Sequence, residues 1–350
     1  MSDNEDEEYW ECSEPDEVRE IVEGLARTDR GAWRVADLER LTTELGWQPW
    51  TPAEEYWPAE PHADGKSKYW FFAHDNTEGI ASTRHGDSDE LDNLEFQVAR
   101  GMGDIDIVTA AGFFRETFGA VEQVLGPPSW WGNQRIAGPQ TQWLLWPMGT
   151  DHLIVERTWT TITMRVRRAD DDDLTSPSTD RVRWRAAAPE RLPDPAAVPD
   201  PAAVDWKQLQ ERLAPLLSSL AEDAPVLPSS VIVHLISRHH AQRFVSFWTE
   251  GLGLRIEAMG LYHEPHLADR ARLSALGWQD VGDGLWQRRF PEALHEQEQC
   301  ETAALLLVEA LRMLGDAPAD FTYAGTLTLQ GHQAHLDFPQ LGIPRNPDPA

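Results

Sequence analysis

Basic residues are scarce in this chain: 30 Lys and Arg stand against 59 Asp and Glu in 350 residues, a formal net charge of −29. Such a field repels polyphosphate, and no local run of Lys and Arg offsets it, so nucleic-acid binding is not expected. A basic protein partner is instead attracted, and its association accelerated. Cysteine is scarcer still, with only Cys12, in an acidic run, and Cys300, on the apolar stripe of a helix. Two thiols so far apart support neither a disulfide scaffold nor a zinc site. Long apolar runs are missing too. The longest, Thr302–Leu314, is interrupted by Glu309 and is too short to span a bilayer. The first residues, MSDNEDEEYWE, lack the basic and apolar regions of a signal peptide, so a cytoplasmic location without membrane contact is expected.

Catalytic motifs are also lacking. Gly65-Lys66-Ser67 looks like the end of a phosphate loop, but the glycine that motif needs five residues earlier is Glu60. Gly251 and Gly253 have no third glycine and precede a strand, so they read as a turn. No Gly-x-Ser-x-Gly elbow is present, and His295-Glu296 has no second histidine at metalloprotease spacing. His263 and His266 flank Glu264-Pro265 and are weak metal candidates, with His234, His239 and His240 near in sequence. Pro265 prevents a regular helix there and no third ligand has defined spacing, so a solvated loop is expected. No catalytic residue, cofactor or bound metal is expected.

What is present is two runs of mixed helix and strand periodicity. Residues 1–12 read as a disordered acidic tail and residues 13–168 as a first α+β domain. Its opening helix carries Val18, Ile21, Val22 and Leu25 on one face, with Ser13 and Asp16 set as a capping box. Thr109 is placed to cap the helix that Gly126-Pro127-Pro128 ends. In Thr158–Arg167, Thr160, Ile162, Met164 and Val166 alternate with polar residues, as in a half-buried antiparallel strand. Residues 169–204 are dense in Asp, Pro and Ala and contain PDPAAV twice, which reads as an extended linker.

Residues 205–338 read as a second α+β domain and 339–350 as a Pro-rich tail. Asp205 caps a leucine-striped helix, and Cys300, Ala303, Ala304, Leu307, Val308, Leu311 and Leu314 mark another. Each domain is expected to be an antiparallel sheet with helices packed on one face. Leu45-Gly46-Trp47 recurs as Leu276-Gly277-Trp278, at the end of a predicted helix both times.

Sixteen tryptophans are the least ordinary part of the composition. Most should fill cores, but Trp130 and Trp131, just after Pro127-Pro128, are candidate interface anchors. In the second domain, Trp248 and Trp286 are further candidates. Arg255 and Arg288, among apolar strand residues, are placed to line a sheet surface that receives a partner.

The second domain resembles the TY-Chap family of small α+β domains akin to type III secretion chaperones and to YbjN. Arg243-Phe244-Val245-Ser246-Phe247, Leu273…Leu276-Gly277-Trp278, Leu285-Trp286 through Phe290-Pro291, and the helix Ala303–Leu314 carry the resemblance. The stretch Gly260–Leu267 departs from the family pattern. Residues of roughly Trp33 to Arg167 resemble an actinobacterial domain of unknown function, through Leu45-Gly46-Trp47, Val124–Pro128 and Thr158–Arg167. The first resemblance implies protein binding through sheet or helix surfaces, with no catalytic residues to carry over. A client protein or a basic effector neutralised by an acidic immunity protein is the expected partner, and homodimerisation through the same faces is left open. The competing expectation is a small-molecule enzyme or sensor, with a pocket between sheet and helices and the histidines as its polar groups.

Overall fold

The computed structural model describes residues 9–49, 69–74, 77–83, 89–102, 107–135, 140–158, 160–169, 181–187, 191–192, 202–203, 205–227, 229–251, 253–260, 267–291, 297–314, 317–329 and 331–346. The chain is α+β and divides into two compact units, Met1–Asp180 and Arg181–Ala350.

The first unit runs β1 (Tyr9–Cys12), α1 (Pro15–Arg27), α2 (Val35–Glu44), β2 (Gln48–Pro49), β3 (Tyr69–His74), β4 (Thr77–Thr83) and β5 (Leu91–Met102). It continues with α3 (Ile107–Leu125), β6 (Trp130–Arg135), β7 (Gln140–Met148), β8 (Asp151–Arg157) and β9 (Thr161–Arg168). The strands pair antiparallel in the order β2-β3-β4-β5-β9-β8-β7-β6. The long β5 holds β9 along one side; on the other, β4 and then β1 share its length. The β9 alternation is realised: Ile162, Met164 and Val166 are fully buried, whereas Thr160 lies exposed before the strand.

Three local expectations for this unit need correction. Tyr9–Cys12 is a strand rather than a disordered tail, because its backbone completes the β5 edge from Ala99 to Met102. Ser13 does not cap α1: the N-cap is Glu14, and the Ser13 hydroxyl instead bonds that of Thr77, 2.6 Å away. Thr109 lies inside α3, which starts two residues earlier.

The second unit runs β10 (Arg181–Ala187), α4 (Trp206–Asp223), β11 (Ile232–Ser237), β12 (Phe244–Glu250), β13 (Gly253–Met259), α5 (Leu267–Ala275) and β14 (Gln279–Gly282). It ends with β15 (Leu285–Phe290), α6 (Gln297–Leu314), β16 (Phe321–Leu329) and β17 (His332–Asp337). Its antiparallel order is β10-β17-β16-β11-β12-β13-β15-β14. The expected cap forms, with Asp205 Oδ1 accepting the Gln208 backbone N–H at 2.8 Å. The α6 stripe is buried from Cys300 to Leu314.

Strand β10 corrects the linker reading. Arg181–Ala187 contains no proline, and its Trp184 and Ala186 point inward between arginines. Both copies of PDPAAV lie almost wholly outside the described residues. The C-terminal tail is likewise anchored rather than free: Leu341 and Ile343 are buried, and Asn346 N–H donates to the Tyr323 carbonyl at 2.6 Å.

The repeated Leu-Gly-Trp has a local explanation. Trp47 N–H bonds the Thr42 carbonyl and Gly46 N–H that of Thr43; Trp278 and Gly277 do the same with Leu273 and Ser274. Both glycines have positive φ, 71° and 82°, which completes a Schellman cap at each helix end. Each following tryptophan is buried, Trp47 against the rings of Phe72 and Phe96. The echo therefore follows from helix termination and requires no duplication.

Candidate functional site on the helix-free sheet face

In the second unit the sheet has two chemically different faces. Val233, Leu235, Val245, Phe247, Leu254, Ile256, Ala258 and Trp286 share one face, each at most 3% exposed. Helices α4 and α6 pack together over it, touching β12, β13 and β15. Among the described residues, the opposite face carries no helix.

Strand register sorts that open face into three rows, each running across the strands. The first contains Thr326, Ile232, Trp248, Arg255 and Arg289. The middle row contains Ala324, His234, Ser246, Glu257, Gln287 and Gln279. The third contains Thr322, Ile236, Phe244, Met259 and Leu285. A polar band is thus flanked by an apolar row on one side and a mixed aromatic and cationic row on the other.

Specific contacts order these rows. The Arg255 guanidinium stacks on Trp248, its carbon 4.5 Å from the ring centroid, and Nη2 donates to Glu257 Oε1 at 2.8 Å. His234 meets Phe244 edge-on, with ring centroids 5.6 Å apart. Ile232 is 38% exposed, unusual for a large aliphatic residue in a central strand. Arg289 reaches Glu250 at 3.3 Å across the outer part of the face.

Desolvation holds the His234 pKa below its ordinary value, against an opposing pull from Glu257. The folded imidazole therefore resists the proton that the unfolded chain accepts below about pH 6.5. This part of the stability is present above that pH and is lost as pH falls toward the folded pKa. Urea midpoints of His234→Phe and wild type, compared from pH 7.5 to 5 (roughly the window in which histidine titrates), should show a flatter acid-side decline in the variant. Parallel declines would mean that His234 does not contribute.

Of the residues singled out in the sequence, Trp248 and Arg255 meet on this face. Trp286 does not: it is 3% exposed on the helix-covered side, where it shares strand parity with buried Phe290. Arg288 also points to that side, with Nη1 bonding the Leu276 carbonyl at the end of α5 and its guanidinium 5.0 Å from the Phe290 ring. Its role there is to close a helix end. In the first unit, Trp131 is completely buried beside Phe118 in β6, so it is no exposed anchor. Trp130 is half-buried against Trp143, Leu145 and Ile154. His263 and His266 lie outside the described residues. Among the described residues no His, Cys, Asp and Glu cluster suits a metal, and no helix is long and apolar enough to cross a membrane.

Residues that sequence reading passed over are Ser246, Glu257 and Gln287. Their signal was the parity of β12, where Phe244, Ser246 and Trp248 face outward between buried Val245 and Phe247. The pairing that aligns them across three strands is not written in any one segment. A separate open cleft of about 520 Å³ in the first unit is lined by Gly31, Ala32, Trp33, Thr150, Asp151, Arg168 and Ala169.

Residues 199–326, less than half of the chain, match the TY-Chap3 family model, described as T3SS (YopN, CesT) and YbjN peptide-binding chaperone 3. The match covers α4 to most of β16, and so includes all three rows of the open face. No curated protein and no solved structure matches the chain.

Proposed function

We propose that the second unit binds a segment of a partner protein on its helix-free face, without performing chemistry on it. The observation that carries this is the outward Trp248–Arg255 stack beside exposed Ile232, on a face no described helix covers. A rigid aromatic and a planar cation with an adjoining apolar row are the groups that concentrate binding energy at protein interfaces. The family matched by residues 199–326 is described as peptide-binding, which supports the same reading. A net charge of −29 favours a basic partner, including an effector held inactive by an acidic immunity protein. A cytoplasmic chaperone that keeps a client soluble is the other form of the same activity.

Affinity capture with wild type and with Trp248→Ala tests this. The variant should lose its captured partner, with affinity reduced about 30-fold, as for an interface hot spot. Equal capture by both would place the binding surface elsewhere. Sedimentation of the same proteins separates a heterologous partner from self-association.

A further inference from the structure

Three buried polar atoms on this face have no hydrogen-bond partner among the described residues: Ser246 Oγ, Arg255 Nε and Gln287 Oε1. They sit on β12, β13 and β15, three consecutive strands of the sheet. Ser246 is 0% exposed. A buried donor or acceptor left unmade forfeits its hydration without compensation, so folded proteins seldom tolerate a group of them. The helix-covered face of the same strands is apolar and packed. The unmet hydrogen-bonding capacity of these strands is therefore gathered on the open side.

We propose that the occupant of this face is an extended, apolar segment of a basic partner, with its backbone amides lying along the middle row. This rests on the reading of the face as a partner-binding surface. An extended segment alternates its side chains to left and right, and rows two residues apart on a strand are separated by roughly 7 Å. With its backbone over Ser246, Glu257 and Gln287, one set of side chains falls on Ile236, Phe244, Met259 and Leu285. The other set falls on Ile232 and Trp248. Gln287 Oε1 accepts a backbone N–H, Arg255 Nε donates to a carbonyl, and Ser246 Oγ does either.

From β11 to β14 the row spans about 19 Å, the length of about six extended residues. The chain's net charge of −29 favours lysine or arginine next to the apolar stretch. Because Ser246 is fully buried, the segment reaches it only as a neighbouring side chain rotates aside.

The test is fluorescence anisotropy of the full chain with a labelled peptide of alternating leucine and serine, closed by a pair of lysines at each end. Ser246→Ala should keep or raise the melting midpoint, because it deletes an unsatisfied group, while weakening peptide binding about three- to ten-fold. Backbone N-methylation of the peptide at alternate positions should weaken binding to wild type by a similar factor and to Ser246→Ala by less. Replacing the terminal lysines with glutamates should weaken it further. Binding that is sensitive to Trp248→Ala but indifferent to Ser246→Ala and to N-methylation overturns backbone recognition while leaving the face as the binding surface. Absence of peptide binding, or binding indifferent to all of these changes including Trp248→Ala, overturns both. Self-association that disappears in Ser246→Ala would make a second copy the occupant and overturn the basic partner.

Discussion

Replacing Asp151 with alanine should destabilise the first unit by about 3–5 kcal/mol, the range for breaking one partner of a buried ion pair. The Asp151 side chain is 2% exposed and its partner Arg30 is 10% exposed. The carboxylate takes the Arg30 guanidinium on Oδ2 and the Trp33 indole N–H on Oδ1 at 3.0 Å. Arg30 in turn donates from Nη2 to the Met148 carbonyl at 2.9 Å, and also to that of Leu25. One carboxylate at the start of β8 thus ties the end of α1 and the following loop to the β7–β8 hairpin. Trp33 holds a φ of 57°, which a bulky residue adopts only when its surroundings enforce it. Removal of Asp151 strands the Arg30 charge and frees that turn together. Asp151→Asn keeps the volume and should lose less. Thermal unfolding followed by tryptophan fluorescence checks this, with the melting midpoint lowered by roughly 10 °C for alanine. A wild-type midpoint would mean that the pair is solvated and dispensable.

What could be read from the sequence follows the range of the interaction involved. Helix stripes, the Asp205 cap and the Leu-Gly-Trp caps depend on residues within about one turn, and they appeared where periodicity placed them. Strand parity is equally local. Trp286 and Arg288 share parity with Phe290, a pattern sufficient to assign them to the inner side, whereas Trp248 shares parity with Ser246 and faces out. The two tryptophans are alike in composition and opposite in placement. The polar row was not legible, because His234, Ser246, Glu257 and Gln287 become neighbours only once the register of four strands is set. A shift of one residue in any strand would send its member to the helix side. The short strands β6 and β10 were missed for another reason. Each adjoins a proline-rich stretch, and composition averaged over the neighbourhood concealed the alternation within it.

Strand β10 supplies the second large expected effect. Trp184 is fully buried, and its indole N–H donates to Asp223 Oδ2 at 2.8 Å at the end of α4. From the next residue the strand pairs with the end of β17, where Arg185 Nε bonds Asp337 Oδ2 at 2.8 Å. The other oxygen of Asp337 accepts the Tyr323 hydroxyl at 3.2 Å, and that hydroxyl receives the Phe338 N–H at 3.0 Å. Burial, with Asp337 second, pushes the Tyr323 pKa up, so the phenol stays protonated and remains a donor. Trp184→Ala should therefore cost about 3–5 kcal/mol in the second unit, from the cavity and from a buried carboxylate losing one of its donors. Trp184→Phe retains most of the volume and should cost only about 1.5–3 kcal/mol, the share of a hydrogen bond to a charged group. If the two variants unfold at the wild-type urea midpoint, Arg181–Ala187 is an appended strand. If alanine costs more than phenylalanine by the cavity term, the second unit begins at β10, ahead of the region matched by the chaperone family. A protein cut at Asp205 would then lack part of its own core.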